Sequence, residues 1–469
     1  MAAPATLRHG YMARAKADFG RMHGLVLSHA IGICLLLSLL LDRVIQEKLL
    51  YWTAVQVPLL LVGFWLLLNR SQRIGRVKIG LWDYLYLGFV SMAAVGSVYA
   101  DSALIRFSGF QNYLQFVVTT LHPYLFFVVV REAANRQGFR PLVILGWFLA
   151  AICASGLIGL MQARDLLGVR QWSYVFYNQR IAEMAMDGPS AIWQAKGATV
   201  HANILAQHTW LGLCVLVGLA CYRGIKKVDI FIGLVLLATL AATYSRSGVI
   251  TTTAIGAALV IFLVSRRQYR SSFLVLLGGA ILAVAGVTAI YAFNVERLKI
   301  LVEGEGTVRR PEELGSLRMR VNNSVKALRL GQEYPVFGLM AAAGGINDLR
   351  TITRNAYTFE GKLDNMYSFT FVMHGFVGVG FMLGILYGLF RTIRSYWAPC
   401  AFSGAVFLSG VGLAVHGNTE NLLFTDGMLI INVLMALVVM RIAPLRAAKA
   451  PEHELSGIAP QLRPAASLK

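Results

Sequence analysis

The feature that most constrains this chain is a series of about twelve apolar runs separated by short polar connections. Most runs are close to the ~20 residues that an α-helix needs to cross a hydrocarbon core of about 30 Å. With 57% hydrophobic and 14% charged residues among 469, the composition excludes a soluble globular protein. The predicted spans are Leu25–Leu41, Leu50–Leu68, Leu81–Ala100, Tyr113–Val130, Pro141–Met161, Val200–Tyr222, Val228–Tyr244, Gly248–Val264, Ser272–Phe293, Met366–Phe390, Ala398–His416 and Phe424–Met440.

Basic residues are concentrated in alternate connections, which predicts the orientation of the chain. By the positive-inside rule these connections, and both termini, are cytoplasmic. This bias and attraction to anionic lipid headgroups explain much of the net charge of +20, so no nucleic-acid partner is expected. The basic positions are Arg8, Arg14, Lys16, Arg21, Arg70, Arg73, Arg76, Lys78, Arg131, Arg136, Arg140, Arg223, Lys226, Lys227, Arg266, Arg267, Arg270, Arg391, Arg394, Arg441, Arg446 and Lys449.

The predicted fold is all-α: a polytopic integral membrane protein with about 12 transmembrane helices and a long outer loop that contains an amphipathic helix. The helix is predicted over Leu314–Leu330, lying on the membrane surface, because Leu317, Val321, Val325 and Leu328 follow helical spacing. The predicted units are residues 1–293 (nine spans, with an outer loop at 162–199), 294–365 (the large outer loop), 366–446 (three spans) and 447–469 (a disordered cytoplasmic tail).

Arginines on the outer side are candidates for binding phosphate. Arg246 is the one basic residue in the short outer turn Thr243–Gly248, and its planar guanidinium suits phosphate oxygens. Arg318 and Arg320 in the outer loop are placed to complete a clamp on a pyrophosphate. The structural alternatives are an arginine that snorkels to the headgroups, for Arg246, and a solvated helix face for the other two.

Histidines at the outer ends of spans are candidate general bases, because a neutral imidazole accepts a proton near pH 7. His201 begins a span, with Asn203 two positions later. His416 ends another span shortly before Glu420 and Asn421. The alternative role for each histidine is packing inside the bundle.

Two carboxylates on the same side, Asp364 and Glu420, are able to deprotonate an acceptor hydroxyl if burial raises the pKa of either one. The alternative is a salt bridge to a nearby arginine. The five cysteines show no metal-ligand spacing, and neither a metal nor a cofactor is expected.

Four short motifs resemble those of the O-antigen ligase and O-antigen polymerase superfamily of bacterial polytopic membrane glycosyltransferases, which includes enzymes that polymerise exopolysaccharide. The resemblance also extends to the number of spans and to the long outer loop before the tenth span. The motifs are His201-Ala-Asn-Ile-Leu-Ala206, Ser245-Arg-Ser-Gly248, Glu333-Tyr-Pro-Val-Phe-Gly338, and Asp364-Asn-Met-Tyr367 followed by Gly375 and Gly378.

The resemblance implies transfer of an undecaprenyl-diphosphate-linked glycan on the periplasmic face of the bacterial inner membrane, to a glycan or lipid A core acceptor, without metal. Arg246 and either Arg318 or Arg320 would hold the diphosphate and stabilise the charge of the leaving group. Asp364, His201 or His416 would activate the acceptor. The supporting residues would be Asn203, Asn365 and Glu420, and the partners would include membrane lipids, a chain-length regulator and a flippase.

One departure from the motif bears on the reaction. Asp364 stands where the ligases have a histidine that belongs to the acceptor step, which favours polymerisation of O-antigen or exopolysaccharide repeats over ligation. A secondary transporter or lipid-linked glycan flippase is the remaining alternative. A transporter predicts a long cytoplasmic link after the sixth span, where this chain has only Arg223–Lys227.

Overall fold

The computed structural model describes residues 4–41, 57–69, 79–103, 121–164, 166–177, 194–199, 201–243, 245–265, 311–338, 365–392, 402–418 and 427–442. The elements within these ranges are thirteen α-helices and a 3-10 turn at Leu166–Gly168. The helices are α1 (Pro4–Leu41), α2 (Val57–Leu68), α3 (Leu81–Ala103), α4 (His122–Ala134), α5 (Pro141–Arg164), α6 (Val169–Tyr177), α7 (Ala202–Arg223), α8 (Lys227–Ala242), α9 (Arg246–Ser265), α10 (Pro311–Glu333), α11 (Met366–Arg391), α12 (Ser403–His416) and α13 (Gly427–Val439).

Described helices occupy eleven of the twelve predicted apolar segments, and the remaining one, Ser272–Phe293, lies outside the described residues. Among the described residues, four helical stretches are long and apolar enough to cross a membrane: Met22–Leu40 of α1, and all of α5, α7 and α11. The protein is therefore an all-helical membrane protein in its described part. The count of twelve spans and the unit boundaries stay predictions.

Helix α7 forms the centre of the described bundle. Every residue from Leu205 to Gly212 is buried, and α5, α8, α9, α12 and α13 all pack against this helix. A helix that is covered on all sides belongs to the interior of a large helical assembly. Side chains at the beginning of α7 are therefore surrounded by the ends of several other helices.

Part of the basic charge assigned to membrane orientation also has a structural use. Arg131 Nη1 lies 2.7 Å from both carboxylate oxygens of Asp83, and the Tyr124 hydroxyl donates to Asp83 Oδ1 at 2.8 Å. Arg136 donates to the carbonyls of Leu66 and Asn69 at the end of α2. Because a buried charge needs a partner, these contacts hold α2, α3 and α4 in register.

The predicted loop helix forms as α10, but its apolar stripe is not the face that it packs with. Val321, Val325 and Leu328 are exposed. The stripe that is buried, on the side of the helix that packs against α11, consists of Asn323, Ala327, Leu330 and Gly331. The apolar residues predicted the helix, but the face that packs against α11 is a different one. Small residues on that face, Ala327 and Gly331, permit the close approach.

Helix α11 is broken at Gly375, and the segment that follows α10 is bound at the break. Gly375 has φ +60° and ψ −158°. The N–H groups of Phe376 and Val377, which directly follow the break, donate to the carbonyls of Pro335 (2.8 Å) and Val336 (3.2 Å). These bonds cap the second half of α11 with the backbone of the segment that follows α10.

Glycine is required on both sides of this contact. A Cβ at Gly375 would lie 2.4 Å from the Val336 oxygen, and a Cβ at Gly338, where φ is +65°, would lie 2.5 Å from the His374 nitrogen. Backbone atoms cannot yield as a flexible side chain can. The position of α10 relative to α11 therefore depends on two glycines 37 positions apart, Gly338 and Gly375.

We predict that Gly375→Ala and Gly338→Ala each lower the thermal unfolding midpoint in detergent, because each adds strain of about 1–3 kcal/mol and a backbone clash. Gly380→Ala is the matched control, since it lies in the same helix and its Cβ would meet nothing within 4 Å. An unchanged midpoint for Gly375→Ala and Gly338→Ala would contradict the docked arrangement.

Candidate active site

The turn between α8 and α9 is held by hydroxyl groups. Ser245 precedes the first residue of α9, Arg246, and its Oγ accepts the Gly248 N–H at 3.0 Å, as an N-cap serine does. Thr243 Oγ1 accepts the Ser245 N–H at 3.2 Å and donates to the Leu240 carbonyl at 2.7 Å. The turn thereby ends one helix and begins the next, and its backbone carries Arg246.

The same Ser245 hydroxyl joins two of the sequence motifs. It donates to Asn203 Oδ1 at 2.7 Å and lies 3.0 Å from the Ser247 hydroxyl. Gly248 completes the contact between α9 and α7, because a Cβ there would lie 2.6 Å from the Ala206 Cβ. Two motifs 42 residues apart thus form one unit at the beginning of α7.

His201 lies directly before the first residue of α7, next to the contact between the two motifs. It is the N-cap residue of α7, has an extended backbone and is half-buried. Its carbonyl accepts the N–H groups of Ile204 (3.0 Å) and Leu205 (3.2 Å) and the Thr199 hydroxyl (2.9 Å). The structure therefore brings His201, Asn203 and the backbone of Arg246 together.

Asn365 caps the helix that begins on the same side of the bundle. Its Oδ1 accepts the N–H groups of Tyr367 and Ser368, both at 3.0 Å, and its Nδ2 donates to the Asn418 carbonyl at 3.2 Å. The Met366 N–H also donates to the Gly417 carbonyl at 2.7 Å. The beginning of α11 is thus fastened to the end of α12.

His416 is buried, and its Nδ1 accepts the indole N–H of Trp210 at 3.1 Å. Trp210 comes seven residues after Asn203, which is about 10 Å further along α7. The imidazole therefore packs between α12 and α7, deeper in the bundle than His201. Its role as a base stays a prediction.

The other predicted site residues are placed only in part. The structure describes the backbone of Arg318 and Arg320 within α10. Positions two apart on a helix are separated by about 200°, so these two lie on opposite faces. Asp364 and Glu420 lie outside the described residues.

Sequence reasoning missed one part of this region, the turn just before His201. Gln162, buried at the end of α5, accepts the N–H groups of Lys196 (3.0 Å) and Gly197 (2.8 Å) through Oε1. Its Nε2 donates to the Gly197 carbonyl at 3.1 Å and to Ser173 Oγ at 2.8 Å. The available signal was an amide side chain at the outer end of an apolar run.

Comparison with known families identifies a large part of this region. Residues 231–383 match the family model described as O-antigen ligase. Over these residues, about a third of the chain, the protein is similar to the O-antigen ligase family. The match confirms the superfamily that the motifs predicted and indicates glycosyl transfer of the ligase or polymerase type. A search of curated proteins found no match to the chain.

The segment that matches the family model includes only part of the candidate site. Arg246, Arg318, Arg320, Asp364 and Asn365 fall within it. The remaining candidates, His201, Asn203, His416 and Glu420, lie outside the matched residues. The hydrogen bond from Ser245 to Asn203 connects the matched segment to the preceding part of the chain.

We predict that Asn203→Ala and Ser245→Ala are coupled. Each should lower the thermal unfolding midpoint, and the double variant should be little worse than Ser245→Ala alone, because the shared bond is lost only once. The expected coupling is about 0.5–1.5 kcal/mol, as for one hydrogen bond. Thr253→Ala is the control, since its exposed hydroxyl bonds only within α9. Additive effects would exclude the Ser245–Asn203 bond.

Proposed function

We propose that this protein transfers glycan from an undecaprenyl-diphosphate carrier to a glycan acceptor, polymerising O-antigen or exopolysaccharide repeat units. The reaction takes place on the periplasmic face of the bacterial inner membrane, with both termini of the chain in the cytoplasm. The observation that supports this proposal most directly is the Ser245–Asn203 hydrogen bond. It joins the Arg246 turn, which lies in the segment matching the O-antigen ligase family, to the beginning of α7, where His201 is the N-cap.

Arg246 is proposed to bind the diphosphate of the donor. As the bond from the anomeric carbon to the diphosphate oxygen breaks, negative charge develops on that oxygen, and a fixed guanidinium stabilises it. The Ser245 cap and its bond to Asn203 fix the backbone that carries this arginine. Pre-organisation of this kind lowers the barrier because the site need not rearrange during the reaction.

The acceptor hydroxyl requires a base, for which the proposed residues are His201, Asp364 and His416. His201 is supported by its half-buried position at the mouth of α7, next to the Arg246 turn. Asp364 is supported by its neighbour Asn365, whose cap fixes the beginning of α11. The proposed mechanism uses no metal, and the proposed partners are membrane lipids, a chain-length regulator and a flippase.

The experiment that tests the proposal uses purified protein in nanodiscs with undecaprenyl-diphosphate oligosaccharide. We expect longer lipid-linked chains, and a loss of at least about a hundredfold in kcat for Arg246→Ala, because charge stabilisation in the transition state is removed. Arg391→Ala removes an exposed arginine at the far end of α11 and should retain full activity.

Ligation is the second candidate, favoured by the description of the matching family as O-antigen ligase. It predicts that undecaprenyl diphosphate is released only after lipid A core or another acceptor is added, with no growth of the lipid-linked chain. Absence of turnover with every acceptor would contradict both reactions and support a transporter or flippase.

The loop helix supplies a further prediction about the second arginine. Arg320 precedes Ala327 by seven positions and Gly331 by eleven, in the register of the stripe on the α11 side of α10, whereas Arg318 falls on the opposite face. Because α11 begins at the site, we expect Arg320→Ala to lower kcat by at least about tenfold. Arg318→Ala should have a much smaller effect, and the reverse order would refute this placement of α10.

A further inference from the structure

The turn before His201 is held by several hydrogen bonds from buried side chains of α5. The Gln162 side chain forms one hydrogen bond to Ser173 and three to the backbone of Lys196 and Gly197. Ser155 Oγ accepts the Ala198 N–H at 2.9 Å. Two polar side chains of the membrane helix α5 therefore hold the backbone of this turn in one position.

Gly197 allows the turn to lie directly against α5. Its φ is +57°, and a Cβ there would lie 2.4 Å from the Ser155 carbonyl oxygen. Buried polar networks of this kind are costly unless every member is bonded, and when bonded they fix one conformation. The residue before Gly197 is Lys196, which the turn therefore presents at a defined place.

That place is next to both halves of the candidate site. The Ala195 N–H donates to the carbonyl of Ala242 at 2.9 Å, and Ala242 directly precedes the turn that carries Arg246. Thr199 Oγ1 donates to the carbonyls of Lys196 (2.7 Å) and His201 (2.9 Å). Lys196 thus lies between the end of α8 and the beginning of α7.

The charge of Lys196 suits this position. It is the one charged residue of the described segment 194–199, and it is half-buried. A lysine ammonium is a compact cation that binds phosphate oxygens as a point charge, whereas an arginine binds them with a planar fork. A diphosphate carries enough negative charge to need several cations around it.

We propose that Lys196 is a further cation of the donor site, which binds the diphosphate beside Arg246, and that Gln162 is its positioning residue. This inference rests on the proposed function, because it assigns Lys196 to the same diphosphate. It adds the first outer loop, which lies outside the segment matching the O-antigen ligase family, to the donor site.

The test measures transfer at a series of donor concentrations for Lys196→Ala, Lys196→Arg and the control Lys227→Ala, which removes an exposed lysine from the opposite end of α8. Loss of a charge-assisted bond should raise the KM for donor by at least about tenfold in Lys196→Ala. Lys196→Arg should recover most of the affinity. Equal KM values for Lys196→Ala and Lys227→Ala, with an active wild type, would overturn the inference and leave the proposed function intact.

Gln162→Leu provides a readout that a merely structural role would not move. It removes the hydrogen bonds to the turn and retains a side chain of similar size. We expect it to raise the KM in the wild-type background and to add nothing in the Lys196→Ala background. An equal increase in both backgrounds would overturn the positioning role of Gln162.

A binding measurement tests the diphosphate site independently of glycan transfer. Farnesyl diphosphate, a soluble analogue of the donor's carrier, should raise the thermal unfolding midpoint of the wild type, because ligand binding stabilises the folded state. The increase should be smaller in Lys196→Ala. If the wild type binds this probe through Lys196 but transfers no glycan, the diphosphate site stands and the proposed reaction fails. If it neither binds nor transfers, both fail.

Discussion

The Ser245 hydroxyl is the contact on which the candidate site depends. It accepts a backbone N–H of its own helix and donates to Asn203, so one oxygen both begins α9 and fastens it to α7. In a membrane-spanning bundle, helices associate without a hydrophobic driving force, through close packing and interhelical hydrogen bonds, so such a polar contact helps to fix the arrangement. Gly248 lets the two helices approach closely enough for that bond to form.

The segment after α10 and the turn before α7 are fixed to neighbouring helices by the same kind of contact. In each case a glycine with positive φ lies against a helix backbone, and hydrogen bonds satisfy groups that would otherwise be unpaired. Gly338 and Gly375 join the end of α10 to the break in α11, and Gly197 joins the turn before α7 to α5. The second attachment places Lys196 between the end of α8 and the beginning of α7.

Sequence alone predicted the helices well, because length and apolar composition decide where a membrane helix forms. It also assigned His201, Asn203 and Arg246 to the same side of the bundle, and the contact that joins their motifs came from the structure. It did not predict the break in α11 or the Gln162 turn, because each depends on a partner far along the chain. His416 ends α12, as the sequence predicted, and the structure adds its contact with Trp210.

Glycan transfer on the periplasmic face requires that the end of the bundle bearing this site faces the periplasm. In a variant without the five native cysteines, Asn418→Cys labels the site end and Ile225→Cys labels the opposite turn, and both positions are exposed. The measurement is labelling by a membrane-impermeant maleimide in spheroplasts. Reaction of the Asn418→Cys variant before lysis, and of the Ile225→Cys variant only after lysis, is the predicted result. The reverse pattern would place the site in the cytoplasm and contradict glycan transfer on the periplasmic face.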